Sequence, residues 1–370
     1  MLRMLTVVGA RPQFVKAAVL SRLVRSGDYR QKIEEFLVHT GQHYDENMSD
    51  IFFREMEIPE PDRNLEIGSG SHGAVTGAML AGLESVMLDK RPDAVLVYGD
   101  TNSTLAGALA ASKLHIPVIH VEAGLRSFMM AMPEEQNRII TDRLSSVLFC
   151  PTETAKINLQ NEGIKGSNRG KIDSDNKAVF ISGDVMYDTS MYYRKKLSEK
   201  AISNSIKNNL HDRFYLITLH RAENTDDPGR LASIVAAINR FNDMPAVLPL
   251  HPRTKKILSQ QGLTFEKHVH VIDPVGYFDM LQLESMCDFV VTDSGGVQKE
   301  AYFFKKPCVT LRDSTEWVEL CEHGWNTLVG ADTEKILSAL RSMPKYGDNS
   351  LLYGDGRSGQ LILDTILKIF

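Results

Sequence analysis

Short, almost unbroken runs of apolar and β-branched residues alternate with longer helical patterns along nearly the whole chain. The runs Leu5–Val8, Glu35–His39, Ala94–Tyr98, Val118–Val121 and Ser146–Cys150 predict strands in the first half. Val179–Ile181, Phe214–Thr218, Ala246–Leu250, Val269–Ile272, Phe289–Thr292 and Cys308–Leu311 predict strands in the second. Ala106–Lys113, rich in alanine, predicts an intervening helix. Strands that are apolar throughout, rather than alternating, belong to parallel sheets covered by helices on both faces. The fold class expected is therefore α/β, with Rossmann-like, doubly wound domains.

Gly163–Asp175 is polar, contains glycines and has no periodicity, so it reads as a surface loop or an interdomain linker. As a linker it divides the chain into an N-terminal domain over 1–170 and a C-terminal domain over 176–358. The last helical pattern, 359–370, is expected to pack back on the first domain. A weak echo supports the division. Asp93-Ala-Val-Leu-Val-Tyr-Gly-Asp100-Thr-Asn-Ser103 and Asp288-Phe-Val-Val-Thr-Asp293-Ser-Gly-Gly296 both run from an apolar strand into a small, polar turn and then a helix. Any two βαβ units share something of this pattern. In either case ligands are expected at the carboxyl ends of the strands.

The length of 370 residues fits two such domains at roughly 150 residues each. Basic residues number 42 against 47 acidic, a net charge of −5, so no overall field draws in nucleic acid or an anionic membrane. Any bound anion must be held locally. The four cysteines Cys150, Cys287, Cys308 and Cys321 lack CxxC spacing and read as buried thiols of a reducing compartment. No apolar run approaches the roughly 18 residues of a membrane span, and the N-terminal run stops at Gly9, too short for a signal peptide. A cytoplasmic location is expected.

Asp293-Ser-Gly-Gly-Val-Gln-Lys-Glu300 follows a strand and opens a helix. Ser294, Gly295 and Gly296 there present backbone N–H groups at a helix N-terminus, where a phosphate is favoured, and Glu300 can accept from ribose hydroxyls. The alternative is a plain Ser-Gly-Gly turn with an N-cap. Gly9-Ala-Arg11-Pro12 through Lys16 sets two cations at a helix entrance, suited to a diphosphate or simply exposed on the surface. His220-Arg221-Ala-Glu223-Asn224 crowds polar residues directly after a buried strand, which suggests a site, although a single histidine is often structural.

Asp100 and Glu122 end neighbouring strands, and Glu134-Glu135 lies close in sequence, so these carboxylates should meet at one crevice unless they serve as caps or ion pairs. Clustered carboxylates repel, and at least one pKa should rise, which separates acid from base at neutral pH. His39 and His43 have i, i+4 spacing but no carboxylate completes a metal set. Met129, Met130 and Met132 suggest an apolar loop used for packing.

In combination and in order, Gly-Ala-Arg-Pro, His-Thr-Gly-Gln-His, Gly-Asp-Thr-Asn-Ser, His-Val-Glu-Ala-Gly-Leu-Arg, Pro-Glu-Glu-Gln-Asn-Arg, His-Arg-Ala-Glu-Asn and Asp-Ser-Gly-Gly-Val-Gln-Lys-Glu resemble the non-hydrolysing UDP-N-acetylglucosamine 2-epimerase family. The resemblance implies the B-type glycosyltransferase fold, two Rossmann-like domains facing a cleft, with the nucleotide mainly on the C-terminal one. It implies elimination of UDP across C1 and C2 of the sugar, giving a 2-acetamidoglucal, and re-addition with the opposite configuration at C2. It assigns Asp100, Glu122 and Glu134 to proton transfer and transition-state stabilisation. His220 and Arg11 go to the diphosphate, with Ser294, Gly295 and Gly296 as N–H donors, Glu300 on ribose, and Lys16 and Arg138 as supporting charges. No metal or nicotinamide cofactor is implied, and the assembly implied is a homodimer.

Two departures bear on the exact sugar and its regulation. Family members with an allosteric UDP-N-acetylglucosamine site tend to have Gln-His-Arg-Gln where this chain has Gln42-His43-Tyr44-Asp45. Ser127–Pro133 and Thr315–Glu319 are closer to the branch that epimerises UDP-2,3-diacetamido-2,3-dideoxyglucuronate for surface polysaccharides. A retaining UDP-sugar glycosyltransferase, a hydrolysing epimerase and a nucleotide-sugar sensor are the competing readings.

Overall fold

The computed structural model describes residues 1–41, 59–167, 170–197, 213–342, 347–348 and 351–370. The chain divides into two compact units, Met1–Thr189 with Tyr353–Phe370, and Ser190–Leu352. The first unit contains strands β1 (Leu2–Val8), β2 (Ile33–His39), β3 (Arg63–Asn64), β4 (Ala94–Tyr98), β5 (Val118–Val121), β6 (Val147–Cys150) and β7 (Ala178–Ile181). They form one sheet in the order β3-β2-β1-β4-β5-β6-β7, and every pairing is parallel. The second unit contains β8 (Tyr215–Thr218), β9 (Ala246–Pro249), β10 (Val269–Ile272), β11 (Val290–Thr292), β12 (Cys308–Thr310) and β13 (Asn326–Leu328). Its order is β10-β9-β8-β11-β12-β13, again parallel throughout.

Both sheets reverse their winding beside the first strand of the unit, between β1 and β4 in one and between β8 and β11 in the other. Such a switch point opens a crevice at the carboxyl ends of the strands. The two echoing motifs occupy equivalent places in it, Asp100 after β4 and Asp293 after β11.

The elements follow from the sequence pattern. Leu5, Val7, Val95 and Val97 of the central strands bury one face against Met79, Leu83 and Met87 of the helix His72–Lys90. Each such side chain contributes about 1.5–3 kcal/mol of burial. In the second unit Tyr215 of β8 stacks on Phe289 at 5.0 Å between ring centroids. The helices that position functional residues are α1 (Arg11–Arg25), α2 (Asn102–Lys113), α3 (Pro133–Leu144), α4 (Val185–Leu197), α5 (Tyr277–Met286), α6 (Gly295–Phe303) and α7 (Ser358–Ile369). Helix α7 packs on α1 within the first unit: Gly359 lies against Val19 and Leu23, and Tyr29 donates to Asp364 at 2.8 Å.

The division differs from the one expected at 171–175. Strand β7 pairs with β6, so Ala178–Ile181 belongs to the first sheet and not to the second domain. Residues 163–167 and 170–175 have no helix or strand and lead to β7 at the edge of the same sheet, and the boundary falls inside α4, between Thr189 and Ser190. Residues 353–358 likewise belong to the first unit: Asp184 N–H donates to the Tyr353 carbonyl, and the Asp188 carboxylate accepts from the N–H groups of Ser358 and Gly359.

Candidate functional site

In the first unit the turn after β1 enters α1 through Arg11 and Pro12. Gln13 holds that turn: its side-chain carbonyl accepts from the N–H groups of Gly9 and Ala10 at 2.8 and 3.1 Å. Its NH2 donates to the Tyr98 carbonyl at 2.9 Å, which ties the ends of β1 and β4 together. Lys16, one turn further along α1, is buried, and its Nζ is ion-paired with the buried Glu122 carboxylate. Arg11 opens α1, but its side chain lies outside the described residues, as do Gln42–Asp45 and so His43.

Register places Tyr98 beside Val121, so the turns carrying Asp100 and Glu122 are adjacent. Glu122 has φ +73°, a left-handed conformation that costs a non-glycine residue about 1–3 kcal/mol and is typical of functional sites. Gly99 has φ +62°, and a Cβ there would lie 3.1 Å from both Glu122 Oε2 and Lys16 Nζ, so a side chain would strain the backbone and crowd this pair. Asp100 is half-buried, with its carboxylate 3.4 Å from the buried Arg138 guanidinium. Burial raises the Asp100 pKa above its usual value. Arg138 and Lys16 oppose the shift, while the negative charges of Glu122 and Glu134 add to it. These five charged groups are therefore close enough to feel one another.

Helix α3 supplies the last part of the cluster. Of its two adjacent glutamates, Glu134 is exposed while Glu135 turns inward. Glu135 accepts from the Ser127 and Phe128 N–H groups at 2.9 and 3.0 Å and lies 3.2 Å from Arg138. It thus fixes the loop before α3. That loop points outward: Phe128, Met129 and Met130 are exposed, in contrast to the packed apolar loop expected from the methionines. His39 is buried beside Phe14, and burial lowers its pKa to about 4, which suits a neutral structural histidine.

Beneath the strand ends lies a buried polar network that the sequence reading did not pick out. His120 of β5 bonds Asp142 through Nδ1 at 2.7 Å and the Gly99 carbonyl through Nε2 at 2.8 Å. Asp142 also takes the Arg126 guanidinium at 2.8 Å and the Gly124 N–H at 3.2 Å. Arg126 in turn grips Glu162 with two bonds of 2.6 and 2.8 Å. Burial alone would raise the Asp142 pKa, but bonds from His120 and Arg126 and their charges bring it below the ordinary value. The signal available in sequence was helical phase: Glu135, Arg138 and Asp142 stand at i, i+3 and i+7 on one face of α3.

In the second unit β8 is followed, two residues past its end, by His220, whose imidazole is half-exposed with Nδ1 3.2 Å from the buried Asp293 carboxylate. The same carboxylate accepts from the N–H groups of His220 and Arg221, the nearer oxygen at 3.1 and 3.0 Å. Asp293, which precedes the Ser-Gly-Gly turn, therefore orients the histidine. Ser294 is the N-cap of α6, with Gly295 and Gly296 as its first two residues. The first turn of a helix leaves N–H groups without intrahelical acceptors, which makes it an anion site. A Cβ on Gly295 would meet Glu316 Oε1 at 2.5 Å, so any other residue there would make the Glu316 carboxylate shift. Glu316 is neutralised by Arg312 at 3.0 Å. Glu300 lies buried in the second turn of α6.

Near Glu300, Glu284 of α5 is wholly buried, and among the described residues neither of its carboxyl oxygens has a hydrogen-bond partner. Burial, and then the charge of Glu300, pushes its pKa well above the usual 4.5. The folded state keeps a proton that the unfolded chain releases, so stability is fully present below about pH 4.5 and drains as pH rises towards the folded pKa. Glu284→Leu is accordingly expected to raise stability by about 1–3 kcal/mol at pH 8, with a smaller gain at pH 5. Thermal unfolding of both proteins at the two pH values checks this; an equal or reversed difference refutes it.

Among the described residues no group of three or more His, Cys, Asp or Glu is placed to hold a metal ion, and no helix is long and apolar enough to cross a membrane. The structure thus brings Lys16, Asp100, Glu122 and Arg138 together, with Glu134 in electrostatic reach, in the first unit. His220 and Ser294 stand on either side of Asp293 in the second.

The family described as UDP-N-acetylglucosamine 2-epimerase matches residues 26–367. The chain is 51% identical to the UDP-2,3-diacetamido-2,3-dideoxy-D-glucuronate 2-epimerase of Pseudomonas aeruginosa, over the full length of both. It is 45% identical to the UDP-N-acetylglucosamine 2-epimerase of Methanocaldococcus jannaschii, over 96% of each. The crystal structure of a Methanocaldococcus jannaschii UDP-GlcNAc 2-epimerase in complex with UDP-GlcNAc and UDP is similar at a TM-score of 0.87 and 42% identity, covering 99% of this chain and all of the other. With two doubly wound parallel sheets of this kind, the chain is an isomerase of the UDP-N-acetylglucosamine 2-epimerase family.

Proposed function

We propose that the chain interconverts UDP-N-acetylglucosamine and UDP-N-acetylmannosamine by eliminating UDP and adding it back. The observation that carries this reading is the group Asp100, Glu122 and Glu134 beside Lys16 and Arg138, with one carboxyl held above its ordinary pKa. H2 of the sugar is not next to a carbonyl, so plain deprotonation is too costly. Loss of the C2 proton to a base, with breakage of the C1–O bond to UDP, gives a 2-acetamidoglucal and free UDP. Protonation at C2 on the other face and return of the diphosphate oxygen to C1 give the epimer. Asp100, Glu122 and Glu134 carry the proton transfers and stabilise positive charge developing at C1. Lys16 and Arg138 hold the carboxylates in place. His220 and Arg11 take the leaving diphosphate, Ser294, Gly295 and Gly296 supply N–H donors to it, and Glu300 binds ribose. The protein acts as a homodimer in the cytoplasm and needs no metal or nicotinamide.

A second reading, epimerisation of UDP-2,3-diacetamido-2,3-dideoxyglucuronate, is favoured by the 51% identity to an enzyme of that name. Proton NMR of the purified enzyme with UDP-N-acetylglucosamine in D2O tests the first. UDP-N-acetylmannosamine should appear with deuterium at C2. No exchange at high enzyme concentration overturns that substrate, and the diacetamido uronate sugar is then tried in the same assay.

A further inference from the structure

We infer that His120 is a doubly protonated positioning residue, an imidazolium that locks the two strand-end turns carrying Asp100 and Glu122. The inference rests on the epimerase reading for the roles of those two carboxylates, but its first premise is geometric. Both ring nitrogens face oxygen: Nδ1 lies 2.7 Å from Asp142 Oδ1, and Nε2 lies 2.8 Å from the Gly99 carbonyl. A peptide carbonyl can only accept a hydrogen bond, so Nε2 carries a proton. The proton between Nδ1 and Asp142 then belongs to one partner or the other.

The charges around the network decide which. Asp142 Oδ2 already receives the Arg126 guanidinium at 2.8 Å and the Gly124 N–H at 3.2 Å, and both favour the ionised carboxylate. The neighbouring carboxylate Glu162 is taken up by Arg126. With His120 charged, the hydrogen-bonded set His120, Asp142, Arg126 and Glu162 is neutral as a whole, which suits a buried cluster. Lys177 also feels the Asp142 charge, but its ammonium bonds the Arg143 and Ser145 carbonyls and not the carboxylate. His120 and Asp142 are both fully buried, so water does not supply the missing bonds.

The mechanical consequence follows from what each end of the network holds. The Gly99 carbonyl that His120 grips belongs to the left-handed turn leading directly into Asp100. The Gly124 N–H and Arg126 that Asp142 grips lie in the turn directly after Glu122. One imidazolium–carboxylate pair therefore sets the spacing of both carboxylates without touching the sugar. A misplacement of about 1 Å can cost on the order of 10²-fold in rate.

Two measurements test this. In selectively 15N-histidine-labelled protein, one side chain should show protons on both nitrogens at pH 7, and its signals should vanish in His120→Gln. A neutral ring at pH 7 overturns the inference, whatever the substrate proves to be. In Asp142→Asn, kcat for C2 epimerisation should fall by about 10²-fold, with the KM and the Kd for UDP unchanged. Unaltered kcat in a folded Asp142→Asn enzyme also overturns it. If wild-type protein exchanges C2 hydrogen on neither UDP-sugar, the epimerase reading fails and the positioning role with it, whatever the protonation result.

Discussion

Glu122→Gln should lower kcat/KM for C2 epimerisation by about 10²–10⁴-fold, the usual contribution of a positioned acid or base. The substitution is isosteric, so the effect reads charge and proton transfer, not packing. The amide oxygen can still accept from Lys16, and Lys16 keeps the Asp100 carboxylate as a nearby anion. UDP affinity should stay as it is, because the substitution changes none of the groups proposed to hold UDP, Arg11 in this unit and His220, Glu300 and the N–H donors in the other. A second signature comes with the first. The Glu122 charge is one of the influences that raise the Asp100 pKa. Its removal favours ionised Asp100, so the limb of the pH–rate profile that reports Asp100 should move to lower pH. Steady-state kinetics between pH 5 and 9 for the wild type and the variant measure both effects. A loss below tenfold with an unmoved profile removes Glu122 from the chemistry.

The strands of both sheets were legible because buried parallel strands are apolar on both faces, as Ala94–Tyr98 and Val118–Val121 illustrate. The short edge strands were not: Arg63–Asn64 and Asn326–Leu328 carry no apolar run to mark them. A polar, glycine-containing stretch such as 163–175 looks alike whether it joins two domains or returns to one sheet. Only the pairing of β7 distinguishes the two. The carboxylates at strand ends were accessible to reasoning since parallel topology gathers strand termini at one edge. Their supports were not. Asp142 inside an amphipathic helix resembles any solvated aspartate, and His120 is a single polar position in a strand. Glu134 and Glu135 are adjacent, and only the phase of α3 tells which one turns inward. In each case what was hidden is a bond between residues distant in sequence, from His120 to Asp142 or from Arg126 to Glu162.

That buried network carries the largest expected effect on stability. Arg126→Met removes a guanidinium held between Asp142 and Glu162 and leaves the fully buried Asp142 with only the His120 imidazole and the Gly124 N–H. Breaking a buried pair from one side costs about 3–5 kcal/mol, because a desolvated charge remains. Glu162 contributes little to that cost, since its carboxylate is about a quarter exposed and regains water. For a unit of this size, at about 2–4 °C per kcal/mol, Tm should fall by roughly 6–20 °C. Acid dependence supplies the check on cause. The Asp142 pKa is depressed in the folded state, so its contribution is present above the ordinary carboxylate value near 3.8 and disappears as pH falls through the folded pKa. The deficit of Arg126→Met should therefore be large at pH 7 and narrow towards acid. In a double-mutant cycle, Arg126→Met with Asp142→Asn should lose less than the two single losses combined, since the charge stranded by one change is removed by the other. Strict additivity, or a loss under about 1 kcal/mol for Arg126→Met, would mean that Asp142 does not depend on this cation, and the neutral balance of the network would then have to be assigned to other groups.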